Sequence, residues 1–194
     1  MKSKFRQIAL LGKYHQSVGI ANTSSRETLE DIAQFLHTLG CEIVVEQATA
    51  SGAGLSGHTV MRIEEIGKSC DLAIVLGGDG TMLGIARQVA GSQVPLVGIN
   101  MGRLGYMTDI PFQSVQDTLP KIIEGEYEAD TRTLLDAVVI RANKEINHAL
   151  ALNDVVVNRS GISGMVELAV HVNGSFMYNQ RSDGLIVSTP TGST

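Results

Sequence analysis

Residues 71–87 read DLAIVLGGDGTMLGIAR, in which an apolar run, a glycine-rich turn and a helix-like pattern follow one another directly. The apolar run is typical of a buried strand, and residues 82–87 have the spacing of a helix. Three glycines around Asp79 let backbone N–H groups converge on anionic oxygens, and a following helix adds its positive N-terminal end. The stretch predicts a phosphate-binding turn with one carboxylate inside it. A plain strand-to-helix turn is the alternative, because short glycine motifs often occur without function.

The composition is that of an ordinary globular protein. With 194 residues, 43% of them apolar and 4% aromatic, the chain suits one large or two small domains with an aliphatic α/β core. No apolar run approaches the ~20 residues that span a bilayer. Residues 1–5 lead directly into a strand rather than into a signal peptide. We therefore expect a cytoplasmic protein without a membrane partner.

Charge and cysteine content narrow the choice of partners. A net charge of -5 without any Lys/Arg cluster argues against a nucleic-acid partner, since phosphate backbones require concentrated positive charge. Small anionic ligands need only backbone amides and a few basic residues, so this composition allows them. Cys41 and Cys70 lack the spacing of a metal or redox motif, and we expect both to be buried and reduced.

Strand-like and helix-like segments alternate through the first part of the chain. Strands are expected at residues 6–12, 41–46, 71–76 and 94–100, and helices at 24–39, 60–68, 81–90 and 113–125. The alternation predicts an α/β domain with a Rossmann-like parallel sheet. Ligands bind such sheets at the carboxyl ends of strands, where residues 77–81 and 100–105 both fall. We expect these two loops to share a cleft.

From about Thr133 the pattern changes to short β-type runs. They cover residues 134–141, 146–152, 155–157, 165–172, 175–180 and 185–188. Asn173-Gly174 between two alternating runs predicts a tight hairpin turn. We therefore divide the chain into an α/β domain at residues 1–130, which carries the glycine-rich turn, and an all-β domain at residues 131–194 that is incomplete in this chain.

Other motifs are weaker. Residues 52–57, GAGLSG, match the dinucleotide pattern G-x-G-x-x-G, but five residues separate them from the preceding strand, so a flexible surface loop is favoured. Loop or surface positions are likewise favoured for Lys13, His15, His58 and His171. Asn153-Asp154 and the hydroxyl-rich residues 181–194 are explained as well by strand bends and turns as by function, when each is taken alone.

Four motifs taken together resemble the bacterial NAD kinase family. They are GGDG at residues 77–80, Asn100-x-Gly-x-Leu-Gly at 100–105, Asn153-Asp154, and DGLIVSTPTGST at 183–194. GGDG alone also occurs in diacylglycerol and sphingosine kinases, whereas the set of four in this order is specific. The resemblance extends from the first strand to Thr194.

The resemblance implies transfer of the γ-phosphoryl group of ATP to the 2′-hydroxyl of the adenosine ribose of NAD, which gives NADP. Asp79 would contact that hydroxyl and accept its proton. The other NAD-binding positions that it implies are Gly80, Asn153, Asp154, Arg181, Asp183 and Thr194. The ATP phosphates would lie on Gly77, Gly78, Gly80 and Thr81, with Mg²⁺ carried by the nucleotide rather than by a protein metal site. A homo-oligomer, a dimer or tetramer, is also implied.

Physical chemistry favours an orienting role for Asp79. An ordinary Asp pKa of ~3.9 is too low for efficient proton abstraction at neutral pH. Phosphoryl transfer tolerates this, because its loose transition state depends on alignment and charge neutralisation more than on nucleophile activation.

Two departures from the family pattern affect these expectations. Relatives often carry a basic residue near Gly164, a position for which Arg159 could substitute. Relatives also continue beyond Thr194, so we expect a fragment or early-terminated form with little or no activity. The alternatives to an NAD kinase are a lipid or sugar kinase of the GGDG superfamily and an NAD-binding module without turnover.

Overall fold

The structure, a computed structural model, describes residues 4–12, 23–102, 105–159 and 164–193, with the side chains of residues 23–25 left aside. By its internal contacts the chain divides into two units, Met1–Asp130 and Thr131–Thr194. The first unit is an α/β sheet and the second consists of antiparallel strand pairs. This confirms the predicted fold class. No helix in the described ranges is long and apolar enough to cross a membrane.

The first unit alternates strands and helices. Its elements are β1 Gln7–Gly12, α1 Thr23–Thr38, β2 Glu42–Glu46, α2 Gln47–Ala53, β3 Thr59–Met61, α3 Ile63–Ser69, β4 Leu72–Leu76, α4 Asp79–Val89, β5 Leu96–Asn100, β6 Ile110–Pro111 and α5 Val115–Glu124. The six strands are parallel and lie in the order β3-β2-β1-β4-β5-β6. The strand order therefore reverses between β1 and β4, which is the position where doubly wound sheets open a crevice at their carboxyl ends.

Both faces of this sheet are covered, so its central strands are apolar throughout. Ile8 and Leu10 of β1 pack in one core with helices α1 and α5. The alternate residues Ala9 and Leu11 pack in a second core with α3 and α4. All five residues of β4 are buried. A continuous apolar run is the pattern that a strand buried on both faces requires.

Helix α2 differs from the predicted surface loop. Its first turn is capped by the Glu46 carboxylate, which accepts hydrogen bonds from the backbone N–H groups of Ala48 at 2.8 Å and Thr49 at 2.7 Å. Gly54 then ends the helix with a left-handed φ of 65°. The GAGLSG motif thus lies at the end of a helix, whereas a dinucleotide fingerprint precedes the start of one.

The helix expected at residues 60–68 is only partly correct. Residues 59–61 form the edge strand β3, paired with β2, and α3 begins at Ile63. The β-branched residues Thr59 and Val60 suit a strand better than a helix. The carboxylate of Glu65 reaches back to the N–H group of Arg62, at 3.2 Å, and fixes the helix start one turn later than expected.

The described residues of the second unit form six strands in three antiparallel pairs. They are β7 Leu135–Arg141 with β8 Lys144–Ala151, β10 Val166–Val172 with β11 Ser175–Ser182, and β9 Asp154–Asn158 with β12 Gly184–Ser188. The predicted turn at Asn173-Gly174 joins β10 to β11, with both residues at positive φ. A second turn of this kind, Ala142-Asn143, was not predicted because it contains no glycine.

Candidate functional site

The glycine-rich turn follows β4 at the carboxyl end of the sheet. Gly77 has a φ of 154°, and its N–H group donates to the carbonyl of Ile99 in the neighbouring strand at 3.0 Å. A Cβ atom at position 77 would lie 2.6 Å from Oγ1 of Thr81, which is too close for any real side chain. Only glycine fits this position, so Gly77 sets the direction in which the chain enters α4.

Gly78 and Gly80 are glycine for a different reason. Neither has a positive φ, and a Cβ atom at either position would meet no atom within 4 Å. Packing and backbone conformation therefore do not require glycine at these two positions. Their effect is to leave open space around the first turn of α4, where unpaired N–H groups and the positive end of the helix dipole attract anions.

The carboxylate of Asp79 points to the loop that follows β5. Oδ2 accepts the N–H group of Tyr106 at 2.8 Å. Oδ1 accepts the N–H groups of Met107 at 3.0 Å and Thr108 at 3.1 Å, together with the Thr108 hydroxyl at 3.1 Å. Asp79 thus joins the glycine-rich turn to the segment that follows β5, whereas the cleft expected between the two loops stays a prediction.

Asn100 organises this second loop from the end of β5. Its side chain is buried, Nδ2 donates to the carbonyl and the hydroxyl of Thr108 at 3.2 and 3.1 Å, and Oδ1 accepts the N–H group of Gly102 at 2.7 Å. A Cβ atom at Gly105 would overlap Oδ1 of Asp79. Glycine at position 105 therefore allows the loop to lie directly against the carboxylate.

These hydrogen bonds keep the Asp79 carboxylate ionised, so that it acts as a hydrogen-bond acceptor. Partial burial works to raise the pKa of Asp79, but the N–H groups of Tyr106, Met107 and Thr108 and the Thr108 hydroxyl together outweigh it, and the pKa lies below its ordinary value. A carboxylate in this state is a weak base at neutral pH. It is well suited to accept a hydrogen bond and hold a donor in one direction.

In the second unit, Asn153 lies in the bend between β8 and β9, and Asp154 is the first residue of β9. Nδ2 of Asn153 donates to Oδ2 of Asp154 at 2.7 Å, so the two polar side chains form one group. The backbone carbonyl of Asn153 accepts the N–H group of Thr189 at 2.9 Å. The structure thus joins Asn153-Asp154 to the start of the Thr-Pro-Thr-Gly-Ser segment, a contact that the sequence did not predict.

Thr189 and Gly192 hold this segment in place. The Thr189 hydroxyl is buried, donates to the carbonyl of Leu152 at 2.6 Å and accepts the N–H group of Gly192 at 3.2 Å. A Cβ atom at Gly192 would overlap the carbonyl oxygen of Asn153. Both residues belong to the DGLIVSTPTGST motif, but sequence reasoning assigned neither a role of its own, because a motif does not indicate which of its residues contact Asn153.

The remaining predicted site residues lie on exposed strand ends. Nε of Arg181 faces Oε1 of Glu167 across the hairpin at 3.8 Å, and Oδ1 of Asp183 lies 3.6 Å from Nη1 of Arg159. Nη1 of Arg159 also donates to the carbonyl of Gly164 at 2.8 Å, close to the position where the family pattern has its own basic residue. Thr194, Lys13 and His15 lie outside the described residues.

No three His, Cys, Asp or Glu side chains converge on a possible metal position in the ranges that the structure describes. A surface groove between α1 and α5 is lined by Phe35, Phe112 and several polar side chains. It contains none of the predicted site residues, and it lies on the side of the sheet opposite to α4.

Fold and site together define a doubly wound α/β protein with a glycine-rich turn beside its strand-order reversal. Two family models match the sequence: residues 13–127 match the ATP-NAD kinase N-terminal domain, and residues 152–194 match the ATP-NAD kinase C-terminal domain. The chain belongs to the NAD kinase family. The resemblance inferred from the four motifs is therefore confirmed.

Relatives agree with this assignment. Over 194 residues the chain is 56% identical to an NAD kinase of Cupriavidus pinatubonensis and 54% identical to one of a Polaromonas species. These matches include the whole chain but span only 62% and 65% of the relatives' own length. The crystal structure of yeast NADH kinase complexed with NADH has the same fold, with a TM-score of 0.80 at 22% identity over 97% of this chain and 56% of that one.

Proposed function

We propose that the protein acts as an NAD kinase, transferring the γ-phosphoryl group of ATP to the 2′-hydroxyl of the adenosine ribose of NAD. One observation carries the proposal: an ionised aspartate, fixed by four hydrogen bonds, lies in the first turn of a helix whose neighbouring glycines leave open space. Family membership supports the choice of substrates.

Asp79 aligns the acceptor hydroxyl in this proposal. Oδ1 accepts three hydrogen bonds and Oδ2 accepts one, so Oδ2 keeps a lone pair for an O–H donor. The hydroxyl oxygen forms a bond to the γ-phosphorus as the bond from that phosphorus to the β–γ bridging oxygen breaks. The hydroxyl proton passes to Asp79 and then to solvent. The low pKa of Asp79 makes alignment its main contribution.

The glycine-rich turn binds the phosphates. The ATP phosphate oxygens would lie on the turn residues Gly77, Gly78, Gly80 and Thr81 at the start of α4. Because the N–H groups of Gly77 and Thr81 already donate to the carbonyls of Ile99 and Gly78, the other N–H groups of the turn would be the donors to phosphate. Mg²⁺ arrives with ATP, bound chiefly by phosphate oxygens and water. It would neutralise charge on the transferred group, while the backbone of the turn holds the nucleotide.

The NAD pocket is assigned to the second group of residues. Asn153 and Asp154 offer a carboxamide and a carboxylate held in one orientation, a pairing that suits hydroxyl and amide groups of a dinucleotide. Arg181, Asp183 and Thr194 complete this part of the proposal. Thr189 and Gly192 support it by fixing the backbone at Asn153.

Location and assembly are also proposals. The buried cysteines Cys41 and Cys70 fit a reducing compartment such as the cytoplasm. A homo-oligomer is supported by the apolar side chains that the second unit exposes, Val139, Ile140, Ile146, Val156, Phe176, Met177 and Ile186 among them.

Asp79→Asn tests the proposed role most directly. The substitution keeps the shape of the side chain but removes its charge and its capacity to accept the proton. We expect turnover to fall by ~100-fold or more, with NAD affinity changed by less than about threefold. NADP formation would be measured for two proteins. One is the 194-residue chain, and the other is a chimera that joins this chain to the segments of the C. pinatubonensis NAD kinase that lie outside the matched region.

Asp71→Asn is the matched control. Asp71 directly precedes β4 as Asp79 follows it, and its carboxylate likewise accepts backbone N–H groups, those of Arg6 and Gln7 at 2.9 and 3.0 Å. It lies at the amino end of the strand, away from the turn, so turnover should stay within about twofold. Equal activity of the two variants would remove Asp79 from the mechanism, and an unsubstituted chimera that makes no NADP would refute the proposed function.

A further inference from the structure

We infer that Thr108 and Asn100 are positioning residues for Asp79, forming a buried relay that fixes the direction of the carboxylate during phosphoryl transfer. The inference rests on the proposed function, since it assigns to these residues the alignment of the group that would meet the acceptor hydroxyl. Neither residue needs to touch a substrate. Each would act through Asp79.

The relay has a defined donor direction. Nδ2 of Asn100 donates to the Thr108 hydroxyl oxygen at 3.1 Å. Because that oxygen is already an acceptor from Asn100, its own proton is directed to Oδ1 of Asp79, also at 3.1 Å. One chain of hydrogen bonds thus runs from the end of β5 to the carboxylate that follows β4.

Burial makes the relay rigid. Thr108 is 0% exposed and Asn100 is 4% exposed, so water does not compete for these groups. Asn100 is the last residue of β5 and is paired with Pro111 of β6, so the sheet fixes its position. A Cβ atom at Gly98 would lie 2.8 Å from Cγ2 of Thr108, which shows how closely the threonine is packed.

Asn100 also controls the backbone donors. The N–H groups of Met107 and Thr108 reach Asp79 only while the loop keeps its course, and Nδ2 of Asn100 holds the carbonyl of Thr108 at 3.2 Å. The side chain and the backbone of Thr108 are therefore fixed by the same amide. Loss of this support would let the carboxylate turn, and small misalignments of a reacting group are costly in rate.

The first test measures the relay without any substrate. In the 194-residue chain labelled with ¹³C-aspartate, the pKa of Asp79 would be read from its carboxyl shift, with Asp79→Asn assigning the signal. Thr108→Val removes the hydroxyl donor, so the pKa should rise, whereas Thr108→Ser should keep the value of the unsubstituted chain. Asp71 titrates in the same spectra and should not move, because it contacts Arg6 and Gln7 instead.

Thr49→Val controls for a general loss of a buried hydroxyl. Thr49 is also 0% exposed, and its hydroxyl is bonded to Gly12 and Glu46 rather than to Asp79. The Thr49→Val variant should lower the thermal stability of the first unit, as Thr108→Val does, but it should leave the pKa of Asp79 unchanged. If Thr108→Val does not fold, Thr108→Ala removes the same donor without placing a methyl group against the carboxylate.

The second test joins the relay to turnover in the chimera described above. Thr108→Val should lower kcat by about tenfold, with the KM for NAD changed by less than about twofold, and Thr108→Ser should restore kcat. A normal kcat in a variant with a raised Asp79 pKa would overturn the positioning role, as would an unchanged pKa. Failure of the unsubstituted chimera to make NADP would instead refute the proposed function and this role with it.

Discussion

The glycines of the 77–80 turn have separate physical roles although they stand side by side. Gly77 is required by backbone conformation and by contact with Thr81, whereas Gly78 and Gly80 face open space. Gly77→Ala should therefore destabilise the fold by about 1–3 kcal/mol. Gly78→Ala and Gly80→Ala should leave the free energy of unfolding within ~1 kcal/mol, because neither position has a positive φ or a neighbour that a methyl group would meet, and an N-cap alanine at position 78 costs at most about this much.

The same three variants separate folding from ligand binding. Gly78→Ala and Gly80→Ala should weaken binding of Mg²⁺-ATP by about tenfold or more, since a methyl group enters the space proposed for phosphates. Urea unfolding and calorimetric titration provide the two measurements. Normal ATP affinity in both folded variants would mean that the phosphates bind elsewhere.

Sequence reasoning found Asp79 but not its partners. A single carboxylate among glycines stands out because packing does not explain it. Its contacts with residues 106–108 depend on the lateral pairing of β4 with β5, which registers Leu76 against Ile99. Neither glycine spacing nor apolar periodicity contains that register, so Thr108 could not have been named in advance.

At the scale of elements, the turn that begins at Thr189 supports the bend between β8 and β9. Thr189→Val should remove the hydroxyl bonds to Leu152 and Gly192 and let the turn move away from Asn153. We expect the dissociation constant of NAD to rise by about tenfold, while Thr189→Ser keeps the hydroxyl and the affinity. Fluorescence or calorimetric titration with NAD in the chimera measures both. Unchanged affinity in Thr189→Val would separate this turn from the NAD pocket.

The short elements mark the limit of prediction at this scale. β1, β4 and β5 were predicted because a continuous apolar run is the pattern of a strand that is buried on both faces of a parallel sheet. α2, β3 and β6 were missed, since each has seven residues or fewer and exists because a neighbouring strand or cap is already in place. Tertiary context, rather than local propensity, determines such segments.

At the scale of the whole molecule, acid should destabilise the protein through carboxylates that the fold keeps ionised. The N–H groups of Gln7 and Arg6 hold the pKa of Asp71 below its ordinary value. A lowered folded-state pKa contributes stability that is complete above the unfolded-state value of ~3.9 and is lost as the pH falls through the folded-state pKa. Asp71→Asn should therefore be less stable than the unsubstituted chain at pH 7, with a difference that shrinks toward pH 3.

Chemical unfolding at a series of pH values measures this difference. Asp79→Asn should show the same trend, because the pKa of Asp79 is lowered as well. A stability difference that stays constant from pH 7 to pH 3 would show that the charge of Asp71 does not stabilise the fold.

The two cysteines give the molecule an internal reporter. Both belong to the first unit, Cys41 directly before β2 and Cys70 two residues before β4, and both are buried. Burial, helped by the nearby Asp71, raises the pKa of Cys70 to about 11, so its reactive thiolate is scarce while the sheet is intact. The sequence contains two cysteines in all. The rate of thiol alkylation therefore measures how often the α/β sheet opens, and it does not respond to motions of the β-strand pairs.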